Sequence, residues 1–192
     1  MKLCVTILLI FGIITPSKEK GIVVNKVKVV LEPHQIVYNT LLEEGIDSTS
    51  AQIMVAQASF ESGYFKNSLT RNSKNCFALL HWGKRKTLSL GGHGFAEGRS
   101  GYAVFSSIDS AAVDYLYYLE ARKLPHKIKT PYLFALALKQ KNYYGYYKLG
   151  DTTRITRVIK EQEFTKPAHE WALEELNSYS YGLHVHRNKL FK

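Results

Sequence analysis

The sequence predicts a mainly helical single domain with a small irregular lobe that holds a β-hairpin, and three observations lead there. Apolar residues recur at helical spacing in two blocks, residues 33–60 and 106–164, each interrupted by capping residues and glycines. Between the blocks, from Leu69 to Tyr102, the helical period gives way to turn formers, Gly91, Gly92, Gly94, Gly98 and Gly101 among them. A length of 192 residues, with 45% hydrophobic and 12% aromatic residues, suits one buried core better than two.

Taken in order, residues 1–17 pair an early lysine with an apolar run from Leu3 to Ile14. The run is short of the ~20 residues that span a bilayer and suits an export signal, although no Ala-x-Ala cleavage site follows it. With the signal removed, no stable membrane span is expected. Residues 18–32, rich in valine, read as a tether or a short strand, and residues 33–165 as the domain proper. Pro33 opens a first helix that Gly45 stops. Ser48 or Ser50 caps a second, which runs to Phe60 and puts Glu61 in the last turn before Gly63, with Gln57 on the same face.

In the irregular lobe Thr87 to Leu90 alternates like a strand, and Glu97 is the only acidic residue between Glu61 and Asp109. Ser106 or Ser107 caps a helix to Arg122 with a stripe of Ala112, Tyr115, Leu116 and Leu119, and Thr130-Pro131 starts another to Gln140. Asp151 is expected to cap a helix to Phe164. Residues 166–192 read as a C-terminal extension, basic at its end, with Trp171, Leu173 and Leu176 suggesting one more helix.

The chemistry centres on Glu61. At a helix C-terminus the dipole disfavours a carboxylate, and burial among Phe60, Tyr64 and Phe65 would desolvate it. Both effects raise its pKa, and a carboxylic acid that stays protonated near neutrality is what a general acid requires. The plain alternative is a solvated helix-end glutamate. The net charge of +10 points to an anionic partner or surface. No nucleic-acid reading motif is recognisable, and an export signal argues against nucleic acid. Gly91-Gly92-His93-Gly94 lacks the Lys-Ser/Thr of a phosphate loop, and His184-Val185-His186 lacks a third ligand, so no metal and no cofactor are expected. Cys76, with Phe77 and Leu79 close by in sequence, reads as a small core residue more than as a nucleophile.

Four blocks stand in a telling order: Asp47 to Tyr64 with Gln57-Ala58-Ser59-Phe60-Glu61-Ser62-Gly63, then Asn75-Cys76-Phe77-Ala78, then Tyr102 to Leu119, then Asn142-Tyr143-Tyr144-Gly145. In this order the chain resembles the bacterial endo-β-N-acetylglucosaminidases of the autolysin and flagellar-rod-hydrolase type. The resemblance implies a lysozyme-like fold, a glycoside hydrolase acting as a monomer on peptidoglycan glycan strands, and export to the periplasm or cell wall. It makes Glu61 the acid and Tyr143 or Tyr144 the active-site tyrosine, and it places the irregular lobe over the cleft, where Glu97 is the candidate second carboxylate. Gln57, Asn75, Phe77, Trp82 and Tyr102 would face the sugar. Two departures stand out: Ala78 replaces a glycine, and no Thr-Asp follows the late tyrosines. Neighbouring alternatives are muramidase or lytic-transglycosylase chemistry on the same fold, and a glycan-binding module without catalysis.

Overall fold

The structure is a computed structural model in which residues 30–81, 84–93 and 101–192 are described. The export signal expected over residues 1–17 and all but the last three residues of the tether expected over 18–32 lie outside that set, as do Trp82 and Glu97. The unit from Leu31 to Lys192 is mainly helical. Helix α1 spans Pro33–Glu43, with Pro33 at its first position, where the missing N–H costs nothing. Its entry is closed by a capping box between Glu32 and Gln35, and Gly45 at φ +83° ends the turn that leads out.

Helix α2, Ser48–Glu61, is capped by Asp47 rather than by Ser48 or Ser50. The Asp47 carboxylate accepts from Ser50 N at 3.0 Å and from Ser50 Oγ at 2.6 Å, two bonds where a serine would make one. From Ser50 to Ser59 every residue of α2 but Gln52 is buried, including Ala51, Ile53, Met54, Val55, Ala56 and Ala58. A helix apolar on all sides belongs at the centre of a fold, and the alanines let α1 and the last helix pack closely on it. Each large core side chain, such as Ile53 or Met54, contributes about 1.5–3 kcal/mol on burial.

The short helix α3, Ser68–Ser73, then leads into the irregular lobe. Its hairpin pairs β1, Gly91–His93, with β2, Tyr102–Val104, and Leu80 bridges to Tyr102 on the other side. Thr87 to Leu90 is not a strand; Leu88 N instead donates to Asp114 Oδ1 at 2.7 Å. Asp114, fully buried on the next helix, also pairs with Arg85 at 2.6 Å, so the lobe is strapped to the helical body. That helix is α4, Ile108–Ala121, capped by Ser107, and α5, Pro131–Gln140, is capped by Thr130.

The expected helix from Asp151 to Phe164 is corrected to a hairpin of β3, Arg154–Ile159, and β4, Gln162–Pro167. Asp151 makes a local turn through Thr153 N at 2.9 Å instead of a cap. Ile155, Thr156, Val158 and Ile159 are β-branched, and Lys160 and Glu161 both take positive φ, as the two-residue turn of a tight hairpin requires. Helix α6, Ala168–Leu190, follows and packs on α2 and α5. Ala172, Leu176, Tyr179, Leu183 and His186, spaced by four and three, form its buried stripe. Residues 166–192 are thus part of the packed body. Among the described residues, no helix is long and apolar enough to cross a membrane.

Candidate active site

Glu61 is the last residue of α2, and the chain turns sharply after it. Ser62 is the cap residue, and Gly63, Tyr64 and Phe65 all take positive φ. Two non-glycine residues in that region cost about 1–3 kcal/mol each, so the turn persists only because other bonds hold it. Tyr64 N donates to Ser59 O at 2.7 Å, Phe65 N to Ser62 Oγ at 2.8 Å, and Asn67 Nδ2 to Glu61 O at 3.1 Å. From α6, His186 bonds Ser59 Oγ at 2.9 Å and stacks on the Tyr64 ring at 4.1 Å. The position of Glu61 is therefore held both by its own helix and by α6.

The carboxyl itself meets another residue of α6. Tyr179 Oη donates to Glu61 Oε1 at 2.6 Å. Burial lifts the Glu61 carboxyl above its ordinary value, and the Tyr179 hydrogen bond, which favours the carboxylate, only partly offsets that. Burial and then the nearby Glu61 charge push the Tyr179 and Tyr143 hydroxyls well up, so both stay neutral donors. Tyr143 Oη donates to Phe77 O at 2.6 Å, and Tyr144 Oη to Ala135 O at 3.0 Å. The Tyr144 ring lies flat on Tyr179, with centroids 3.9 Å apart.

The tyrosine loop is fixed from beneath. Glu175 of α6 pairs with the buried Lys139 of α5 and accepts from Tyr146 N at 3.1 Å and Tyr147 N at 3.4 Å. Burial alone would raise the Glu175 carboxyl, but the Lys139 ammonium and the two amides outweigh it and hold it below its ordinary value. Gly145 sits in this loop at φ +76°, and a Cβ there would meet the Glu175 carboxyl and the Lys139 ammonium. Gly145→Ala is therefore expected to cost about 1–3 kcal/mol and lower the thermal midpoint by several degrees. An unchanged midpoint by scanning calorimetry would mean the loop has room to shift.

Of the residues expected at the site, the structure brings Glu61 and Tyr144 together through Tyr179, and Tyr143 is close enough for the Glu61 charge to act on its hydroxyl. Gln57, Asn75 and Phe77 are corrected from sugar-facing to interior groups. Gln57 is fully buried, accepts from Tyr115 Oη, and its Nε2 has no acceptor among the described residues. Phe77 is fully buried and stacks on Tyr115 at 4.0 Å. The Asn75 amide is spent on the lobe backbone, donating to Leu79 O at 2.8 Å and Ala103 O at 2.9 Å and accepting from Leu79 N at 2.9 Å. Tyr102 lies in β2, beside that buckle. Ala78 takes φ +51°, a region that glycine enters without cost. Cys76 is buried with its thiol pushed up to about 12, a packing residue.

Tyr179, Glu175 and Lys139 were not anticipated. The four-and-three stripe on α6 was the available signal, since it turns Tyr179 inward with Leu176 and Leu183. Among the described residues, no cluster of three or more His, Cys, Asp or Glu is placed to hold a metal ion.

A search of curated protein sequences finds no significant match. Among solved structures, a chain of a type VI secretion system effector-immunity complex from Pseudomonas protegens aligns with a TM-score of 0.44 at 14% identity, covering 80% of this chain and 94% of that one. The family model described as mannosyl-glycoprotein endo-beta-N-acetylglucosaminidase matches residues 40–181, a span that runs from α1 through Glu61 and the tyrosine loop to Tyr179 on α6. With most of its length matched in this way, the chain belongs to the Glucosaminidase family of glycoside hydrolases.

Proposed function

We propose that the protein hydrolyses peptidoglycan glycan strands at the β-1,4 bond after N-acetylglucosamine, with Glu61 as general acid. The observation that carries this reading is a carboxyl at a helix end whose proton affinity burial raises and which one tyrosine hydroxyl holds in orientation. Tyr179 donates to Oε1, which leaves Oε2 to carry the transferable proton. That proton passes to the glycosidic oxygen as the C1–O bond breaks, and the bonding electron pair leaves with the oxygen. Water then adds to the positively charged C1, and the proton it loses restores the acid. Tyr144, stacked on Tyr179, and Tyr143, whose hydroxyl feels the Glu61 charge, are proposed as the aromatic supports of the sugar ring. Glu97, outside the described residues, is proposed as the group that activates the water or stabilises C1, and Trp82 as a sugar platform.

The same reading makes residues 1–17 an export signal and the net charge of +10 an attraction to anionic wall. Mass spectrometry of digested sacculi tests the bond specificity. Reducing N-acetylglucosamine ends are expected. Anhydro or reducing muramic ends would assign muramidase or transglycosylase chemistry instead, and intact strands would leave only binding.

A further inference from the structure

Gln57 is an anomaly of the interior. Its side chain is fully buried on α2, and its Nε2 is the one buried side-chain polar atom without a hydrogen-bond partner among the described residues. A buried donor left in this way is unfavourable, and in a folded protein such a group calls for a role that its resting contacts do not show. The other end of the amide is fixed. The Tyr115 hydroxyl, itself fully buried, donates to Oε1, which turns the carbonyl toward α4 and leaves Nε2 outside that bond.

Two observations join this donor to the acid. Gln57 and Glu61 lie four residues apart on α2 and share a face, and helical side chains lean toward the N-terminus, which lays the Glu61 carboxyl over the turn that carries Gln57. Tyr115 of α4 and Tyr143 of the tyrosine loop are common neighbours of the two: Gln57 stands beside both hydroxyls, and the Glu61 charge acts on both. Tyr179 already holds Oε1, so Oε2 is the oxygen left open.

We infer, on the reading of Glu61 as the acid, that Gln57 is the positioning residue that receives its carboxylate as the proton leaves: Nε2 donates to Oε2 while Tyr179 holds Oε1. In the resting state Oε2 carries the proton and needs no further donor. When that proton passes to the glycosidic oxygen, and the bonding pair of the C1–O bond leaves with that oxygen, negative charge develops on Oε2. The terminal torsion of a glutamate is broad, so Oε2 turns toward Nε2 at little cost. A donor that is unpaired before proton transfer and paired during it favours the transition state over the resting state, and so raises kcat rather than substrate affinity. Gln57 does this from the interior, without touching the sugar.

The titratable groups around the carboxyl are Tyr179 and His186 on α6, Tyr115 on α4 and Tyr143 on the tyrosine loop. Burial pushes the three hydroxyls up and holds His186, bonded to Ser59, below its ordinary value. The test compares Gln57→Met/Tyr115→Phe with Tyr115→Phe alone. Both retain His186, Tyr143 and Tyr179, so a difference in titration between them belongs to Gln57. The double variant removes both members of a buried pair at similar shape and strands no polar group, whereas the single one keeps Nε2.

Relative to Tyr115→Phe, the double variant is expected to lower kcat about tenfold with KM little changed. The alkaline limb of its rate profile should lie at higher pH, since a donor to the carboxylate has been lost. Carbon-13 NMR titration of the Glu61 carboxyl, identified by its disappearance in Glu61→Gln, should rise in parallel by about one pH unit. In the wild-type protein the Gln57 side-chain amide protons should move downfield as Glu61 titrates, a readout that needs no change at Gln57. Equal kcat and equal limbs, a lower kcat with the carboxyl titrating where it did, or amide protons indifferent to Glu61 would each overturn the inference and make Gln57 a packing residue. The carbon titration requires no turnover, which keeps the two readings apart. Hydrolysis by Glu61→Gln near the wild-type rate sinks the acid, while an unmoved carboxyl titration with Glu61→Gln inactive sinks the role of Gln57 alone.

Discussion

Glu61→Gln is expected to lower glycan cleavage about 10³-fold while leaving the fold and glycan binding in place, because it removes the transferable proton and changes almost nothing else. Turnover of sacculi near the wild-type rate would remove Glu61 from the chemistry. The same variant carries a stability signature. The folded-state pKa of Glu61 is raised, so the folded protein holds this proton more tightly than the unfolded chain does. Wild-type stability therefore falls as pH rises from the ordinary carboxyl value of 4.5 through the raised one, and stays lower above it. Glutamine mimics the protonated form at every pH. The midpoint of Glu61→Gln should exceed that of the wild type at neutral pH, with a gap that closes on acidification. A gap independent of pH would mean that the carboxyl is not held neutral by its surroundings.

Tyr179→Phe is expected to reduce kcat about tenfold to a hundredfold, the effect of losing a hydrogen bond to a charged group worth about 1.5–3 kcal/mol. The ring remains to stack on Tyr144, so packing is largely preserved. The sign of the pH effect separates orientation from mere support. The Tyr179 bond favours the carboxylate, so its loss leaves burial unopposed and moves the alkaline limb of the rate profile to higher pH. A structural role would lower activity and leave that limb where it was. An unmoved limb with a stable fold would therefore assign Tyr179 to packing alone.

Local chemistry alone was enough to place Glu61, because what it needs lies within a few residues. The apolar run of α2 and Gly63 in the left-handed region put the carboxyl at a helix end from near neighbours. The starts of α1, α4 and α5 were legible for the same reason, since Pro33, Ser107 and Thr130 act on bonds within one turn. The hairpin of β3 and β4 was misread because an apolar spacing of three and four at Ile155, Val158 and Ile159 outweighed their β-branching. Lys160 and Glu161 give no glycine to announce a turn.

Only the tertiary structure could supply the partners of the site. Tyr179 reaches Glu61 across 118 residues of sequence and Glu175 reaches Lys139 across 36, and no periodicity records which faces of α2, α5 and α6 meet. The interior places of Gln57 and Phe77 were decided in the same way. A helix near a cleft offers one face to it and the others to neighbouring elements, and Tyr115 of α4 had already taken both residues into the core. The sequence determined where the carboxyl stands, because caps and turns act locally; tertiary packing raised its proton affinity and fixed its orientation, because burial and a hydrogen bond from a distant helix exist only once the chain has closed on itself.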